Sequence, residues 1–534
     1  DKKWRIFLES KTKNKKDNWI KLLVINYILD IEEISEELFP SLPFKFLKEI
    51  KKNNLNDIHL NLKFEELAEN LYWKIWNNRK KLIDIFGYDK TKSFLKETLS
   101  INTPNFVNTK TASSISNVAI FDTGNLDQCT LYRVNQKISQ LKNKNIKTTV
   151  FKPDQVNIYL KMINTFDAVI FFRVPAFPLI IKAIVNSNKF GIPTFYDIDD
   201  IIFDDKIFPP SFETYSNLIS KEQYQQLNFD TCLFEHAMKL CLYGISSTKC
   251  LSKHIERRVI SGKVFHHKNA LSPIHENFIE KQKKIIGAKN NKQIQIFYGT
   301  GTLAHKNCFH KIVEPALARI IDKYGDKVKV NLFGIYDNFL FLNEDSENCV
   351  IKKPIWDYEE YLKELSKSDI NLSILEKSEI TDCKSEIKWL EASIFKIPSV
   401  LSPTITYKEI LNEGDDALFA ESEDEFFLKL ESLILDQNLR KKIGLSAFEK
   451  ASTLYSLNNM SSNLYDLLNY GLKKSNKIRK KILIVNVHYP PQDWGGATHV
   501  VRDNVNELCR NYKDDFDIEI LCTEFGGLND LEYK

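Results

Sequence analysis

Between residues 117 and 472 short apolar strands alternate with helical stretches, and the alternation starts over near residue 294. Few folds accept such a run, because parallel strands can be joined only through a helix-length crossover. Strands are read at residues 118–122, 148–151, 168–173, 194–197, 242–246 and 263–267, then at 294–300, 328–334, 370–375 and 399–402. The expectation is an α/β protein with two doubly wound parallel sheets.

A chain of 534 residues is too long for one core and is expected to hold two to four domains. Its 75 basic and 71 acidic residues leave a net charge of +4, too little to argue for a nucleic-acid partner. Nine cysteines are scattered without a C-x-x-C pair, so neither a zinc site nor a disulfide framework is expected, and a reducing cytoplasm fits best. No apolar run reaches the roughly 18 residues of a spanning helix, and the start has no signal-peptide pattern. Because the chain begins at Asp1 rather than Met, it reads as an excised piece of a longer polypeptide.

Residues 1–115 read as a helical accessory or linker region, with helices at 19–37, 44–52, 64–86 and 90–99 broken by Pro40, Pro43 and Gly87. Trp73 and Trp76 share a helical stripe with Leu67, Leu71 and Ile83, which argues packing rather than a sugar-stacking platform. The basic segment 44–52 is read as a solvated helix face, with contact to an anionic membrane as the other reading. Residues 276–291 are Lys-rich and polar and read as a linker.

Residues 383–402, CKSEIKWLEASIFKIPSVLS, concentrate the chemistry. Ile387, Leu390, Ile394 and Phe395 fall at i, i+3, i+7 and i+8, the period of a helix with one buried face, and Lys396, Ile397 and Pro398 end it before a short strand. Lys384, Ser385, Lys388 and Glu391 cluster on its first turns and opposite stripe, where free N–H groups suit a phosphate.

Three further groups stand out. The turn Gly299-Thr300-Gly301-Thr302, followed by His305 and Lys306, lets backbone approach a phosphate, but a third glycine for the dinucleotide fingerprint is absent. Asp197, Asp199 and Asp200 in YDIDDIIF lie at a strand end, where open α/β sheets bind ligands; a hard cation and an acceptor-side or structural role both fit. Gly124 ends the first strand, with Tyr132 and Arg133 beyond it, and Arg133 reads either as a surface ion pair or as a cleft residue. His266 and His267 lack metal-ligand companions and read as ordinary strand histidines, while Trp356 reads as packing.

The run K-S-x-x-K-x-x-E-A from Lys384 to Ala392, followed by Ile397-Pro398-Ser399-Val400, resembles the nucleotide-sugar segment of retaining glycosyltransferases of family 4. The L-Y-R entry at Tyr132 and Arg133, the Y-D-x-D-D run and the G-T-x-T loop ahead of His305 are similar to the same family. The resemblance implies the GT-B fold, two Rossmann-like domains facing a cleft. It assigns residues 116–278 to an acceptor domain, 290–455 to a donor domain and 456–478 to a crossover helix. Residues 479–534 look like the truncated start of a second such module, so further transferase domains are expected in the same polypeptide.

The same resemblance implies transfer of a sugar from a nucleoside diphosphate sugar to a glycan or lipid-linked acceptor, in bacterial-type surface polysaccharide assembly. It implies no permanently bound cofactor and no metal. Lys306 and Lys384 would serve catalysis, with Gly299, Gly301, Thr302, His305, Ser385, Lys388 and Glu391 completing the donor site and Glu391 on the ribose. Gly124, Tyr132, Arg133, Asp199 and Asp200 would line the acceptor side. Cys383 stands where the family's motif has its first glutamate. Either the chain belongs to a branch that writes the motif without it, or that role is lost and the module binds or scaffolds without catalysing. A cytoplasmic place, with peripheral contact at the inner membrane face, is the corresponding expectation.

Overall fold

The structure, a computed structural model, describes residues 72–73, 75–99, 114–124, 127–215, 219–284, 293–300, 306–334, 336, 339–343, 346–475, 480–486, 496–511 and 516–521. The expected helices at 19–37 and 44–52, the segment 64–71, and the loop residues Gly301, Thr302 and His305 lie outside them.

Two six-stranded sheets carry the fold, and every neighbouring pair of strands is parallel. The first sheet holds β1 (Asn117–Asp122), β2 (Lys147–Phe151), β3 (Ala168–Phe172), β4 (Thr194–Ile198), β5 (Tyr243–Ser246) and β6 (Lys263–His266), in the order β2-β1-β3-β4-β5-β6. All five residues of β3, Ala-Val-Ile-Phe-Phe, are buried, as a strand covered by helices on both faces requires. The second sheet holds β7 (Ile294–Gly299), β8 (Val328–Phe333), β9 (Cys349–Lys352), β10 (Ile370–Ser373), β11 (Ser399–Leu401) and β12 (Leu418–Phe419), in the order β12-β11-β10-β7-β8-β9. Each sheet reverses its winding once, between β1 and β3 and between β7 and β10. A doubly wound sheet opens its ligand crevice at the carboxyl ends of such a pair.

The helices that position the cleft are α1 (Arg79–Leu99), α2 (Gln136–Asn143), α3 (Lys221–Leu240), α4 (Lys249–Glu256), α5 (Pro273–Lys284), α6 (Tyr358–Ser366), α7 (Ile387–Ser393) and α8 (Leu457–Ser475). Gly87 kinks α1 at a φ of 79°, the break that glycine permits without a Cβ clash. Trp76 packs edge-on against Phe177 at 5.2 Å and Tyr88 against Phe229 at 5.9 Å, so α1 and the turn before it belong to the first core. α8 returns to the first sheet, where Leu464, Leu467, Leu468 and Leu472 join Val118, Ile170 and Phe195.

Two expectations are corrected. Residues 273–284 are helical rather than a linker, because Pro273 opens the first turn and Ile274, Phe278 and Ile279 pack one stripe against the second core. The helix expected from residue 383 begins only at Ile387: a separate turn, Glu379–Asp382, is capped by Ser378, and Lys384 and Ser385 sit in the link between the two. Its end is sharp, since Lys396 takes a φ of 58° and its carbonyl packs against Gly444 with no room for a side chain. A third unit, β13 (Lys480–Val485), α9 (Gly496–Asn511) and β14 (Phe516–Leu521), is a single parallel βαβ. Among the described residues no helix is long and apolar enough to cross a membrane.

One buried ion cluster ties three loops of the first sheet together. Arg133 donates to Asp197 Oδ1 at 2.6 Å, to the His267 carbonyl at 2.8 Å and to Asn269 Oδ1 at 3.1 Å, and Lys137 pairs with the other Asp197 oxygen. Arg133 and Asp197 are both 0% exposed, which corrects the surface-pair reading of Arg133. Removing one member of such a pair strands the other charge in a low-dielectric interior. Asp197→Ala is therefore expected to lower the stability of the first domain by about 3–5 kcal/mol, read as a shift of its urea unfolding transition.

Candidate functional site

The cleft between the sheets is built from the segments after β1, β4 and β6 on one side and from α6, α7 and the link before α7 on the other. Asp122 closes β1 by accepting the Gly124 N–H at 2.9 Å, which fixes Gly124 at a φ of 68° and starts the turn leading to Tyr132. Tyr132, buried in the irregular turn Leu131–Asn135, donates its hydroxyl across the cleft to Glu391 Oε1 at 2.9 Å and meets the Tyr358 hydroxyl. Tyr358 in turn meets His275 Nε2 at 2.7 Å. The Ser272 N–H donates to His275 Nδ1 at 2.9 Å, which leaves Nε2 as the protonated nitrogen and the donor toward Tyr358. A continuous chain of hydrogen bonds thus runs from His275 through two tyrosines to a carboxylate.

Glu391 is 0% exposed. Burial pushes its carboxyl above the usual range, while Lys388 and the hydroxyls of Tyr132, Tyr361 and Tyr358 pull the other way. Its Oε2 lies 4.0 Å from Lys388 Nζ and has no hydrogen-bond partner, so one acceptor position of a buried carboxylate is open. Lys388 itself donates to the Tyr361 hydroxyl at 3.0 Å.

Lys384, half-buried, reaches Asp200 Oδ2 at 3.6 Å, and Arg173 reaches Asp199 Oδ1 at 3.3 Å. Burial opposes ionisation of Asp200, but the charges of Lys384 and Arg173 and the Ile201 N–H outweigh it and hold the carboxyl below the usual range. Two acids facing two basic side chains form a balanced, ligand-exchangeable set. Ser385 accepts from Asn269 at 3.0 Å, joining the donor-side link to the loop that Arg133 anchors.

At the β1/β3 switch point a cavity of about 300 Å³ opens beside these groups. Phe172, Phe177, Phe208 and Phe234 supply its apolar walls, with Arg173 and Asp230 as polar points. Apolar walls with few polar groups are the usual make-up of a small-molecule site.

Of the residues expected in the site, Tyr132, Lys388 and Glu391 come together in one network, and Lys384, Asp200 and Asp199 in a second beside it, which Arg173 joins. Arg133 lies beneath the cleft rather than in it. Gly299 ends β7 where a side chain would strike the rings of Phe297 and Tyr361. Lys306 opens the short helix Lys306–Cys308 directly after the loop. Trp356, expected to pack, is 75% exposed because it precedes Asp357, the N-cap of α6, and so stands outside the helix. His267 is a satisfied core histidine between Gln140 and Asn463.

The residues that sequence reasoning missed are Tyr358, Tyr361, His275, Arg173 and Glu386. Glu386 is buried and accepts from the Tyr455 hydroxyl. Its place four residues before Leu390 put it on the buried stripe, a signal that was there to use.

Residues 310–466 match the sequence profile of the family described as glycosyl transferase-like. No curated protein matches the chain. Among solved structures, HepE of Anabaena in complex with UDP and glucose is similar at 12% identity, over 66% of this chain and 100% of that one, with a TM-score of 0.44. WaaG, a glycosyltransferase of lipopolysaccharide biosynthesis, is similar at 14% identity over 66% and 99%, with a TM-score of 0.44. TarM of S. aureus, in complex with fondaparinux, α-GlcNAc-glycerol and UDP, gives 15% over 59% and 58%, with a TM-score of 0.40.

Burial disfavours the charged form of several histidines, His267 most of all. It pushes His275 and His266 down to about 4 and His236 down to about 3, with neighbouring lysines adding to the effect at His266 and His236. Each binds a proton in the unfolded chain near pH 6.5 and resists it in the fold, so their contribution is fully present above about pH 6.5 and is lost as pH falls toward 4. The melting temperature is expected to drop between about pH 7 and pH 5, and His275→Asn is expected to flatten that slope.

Proposed function

We propose that this chain, whose residues 310–466 match a glycosyl transferase-like family, is a GT-B glycosyltransferase that moves a sugar from a nucleoside diphosphate sugar to a glycan or lipid-linked acceptor. Transfer proceeds with retention at the sugar carbon, and lysines rather than a divalent cation meet the diphosphate. The observation that carries this reading is the open Oε2 of buried Glu391, set beside Lys388 and one short link away from Lys384, at the edge of the second sheet's crevice. A buried carboxylate with a free acceptor position is suited to the paired hydroxyls of a ribose.

In this reading Glu391 holds the ribose and Lys388 opposes the effect of burial on its carboxyl. Lys384 leaves Asp200 to meet the leaving diphosphate, aided by Lys306 at the start of the short helix that follows β7, and stabilises charge that develops as the sugar bond breaks. Gly299, Gly301, Thr302 and His305 bring the backbone of that loop to the phosphates, and Ser385 adds a hydroxyl. The aromatic cavity that Arg173 lines takes the acceptor, with Gly124 next to its lining residue Thr123 and Asp199 paired to Arg173 beside Asp200; its apolar walls suit the face of a sugar ring or a lipid segment. The setting is cytoplasmic assembly of a surface glycan.

Calorimetry with a panel of nucleoside diphosphates and nucleotide sugars tests the proposal. One nucleotide is expected to bind, and Lys384→Ala to weaken it about tenfold or more, the loss of one charge-assisted contact of about 1.5–3 kcal/mol. Absence of binding at millimolar nucleotide would overturn catalysis by this module and favour a scaffolding role.

A further inference from the structure

Three groups outside both networks converge on one point at the rim of the cleft. Cys250 and His254 are four residues apart on α4, so they share a face one turn apart. Cys383 comes from the opposite domain, immediately after the turn Glu379–Asp382. The two sulfurs are 3.4 Å apart, and the ligand atoms of all three residues lie within 4.8 Å of one another.

We propose that Cys250, His254 and Cys383 bind one zinc ion that staples the two domains beside Lys384. Zinc takes thiolates at about 2.3 Å and imidazole at about 2.0–2.1 Å in a tetrahedron, which sets ligand atoms roughly 3.3–3.8 Å apart. The observed sulfur separation already falls in that range, and a modest inward turn of His254 completes the set. Two thiols and one imidazole are a soft donor set that selects zinc over magnesium or calcium. On binding, each thiol releases its proton to solvent and the ion with two thiolates is neutral, which suits a site where Cys383 is fully buried.

The surroundings supply the rest. Asp204 Oδ2 lies 3.8 Å from His254 Nδ1 and Glu379 Oε1 lies 3.4 Å from His254 Nε2. With one ring nitrogen on the metal, the other faces a carboxylate, the arrangement that orients metal-bound imidazoles. The exposed Glu379 carboxylate or a water takes the fourth position. The Thr248 hydroxyl donates to the Cys383 carbonyl at 3.0 Å, so the backbone carrying this ligand is already fixed to the first domain. Lys384 is the next residue, and zinc at Cys383 holds its chain beside Asp200. The ion is structural and stands apart from the diphosphate, so metal-free sugar transfer and this site are independent claims.

The test is zinc content and cobalt titration of the full chain after removal of metal with a chelator. One zinc per chain is expected, together with a thiolate-to-cobalt charge-transfer band and the intense visible bands of tetrahedral cobalt. Both are expected to be lost in Cys383→Ser and in His254→Gln and kept in Cys308→Ser, with circular dichroism verifying the fold of each. Failure to take up zinc in the parent chain, equal zinc in Cys383→Ser, or two thiols consumed as a disulfide with no metal would each overturn the proposal. Nucleotide binding by the same variants is read separately, so failure here leaves the transferase reading standing.

Discussion

A carboxylate buried at a domain boundary has to be met by donors, and here most of them come from opposite sides of the cleft. Glu391 sits on α7 of the second domain, yet its Oε1 is satisfied by Tyr132 of the first. The Tyr358–His275 arm fixes the second domain's contribution, and the neutral state of His275 fixes the direction in which the hydrogen bonds run. Leaving such a group unmet costs about 1–3 kcal/mol or more for a charge, so the approach of the two domains and the electrostatics of the site are one problem. Any ligand that binds Glu391 through hydroxyls has to replace Tyr132 or use the open Oε2.

The ionic layer around this network follows the same logic at increasing depth. Arg133 and Asp197 are wholly buried and serve the fold, anchoring the loop after β6 through His267 and Asn269. Lys384 and Asp200, Arg173 and Asp199 are partly open, and their pairing can be exchanged for a ligand. The acids of Tyr-Asp-Ile-Asp-Asp divide where the strand ends: Asp197 lies within β4 and pairs with buried Arg133, while Asp199 and Asp200 lie past the strand and meet Arg173 and Lys384.

Much of the fold was legible because parallel strands buried on both faces write themselves as short apolar runs, as β3 and β7 do. β9 and β12 were missed: Cys-Val-Ile-Lys is four residues long and Leu418–Phe419 only two, too short to show a period. The helix α5 was hidden by its lysines, since three apolar residues on one stripe suffice to bury it. In the site, Glu391 and Lys384 were found through the motif around them. Arg133 was ambiguous because nothing in a local window says that Asp197, 64 residues on, will be buried against it. The Cys250, His254 and Cys383 group was unreadable for the same reason. Its third member is 133 residues from the first, and the close pairing of cysteines that marks most zinc sites is absent.

The most direct test of this account is the nucleotide affinity of Tyr132→Phe, measured by calorimetry against the parent chain and Glu391→Gln. If Tyr132 and the donor ribose compete for the same carboxylate, Tyr132→Phe binds nucleotide more tightly, by up to about tenfold for one hydrogen bond to a charged group, while Glu391→Gln binds it weakly. Unchanged binding by Glu391→Gln would contradict the placement of the donor at Glu391, whereas equal binding by Tyr132→Phe would put the ribose on the open Oε2 alone.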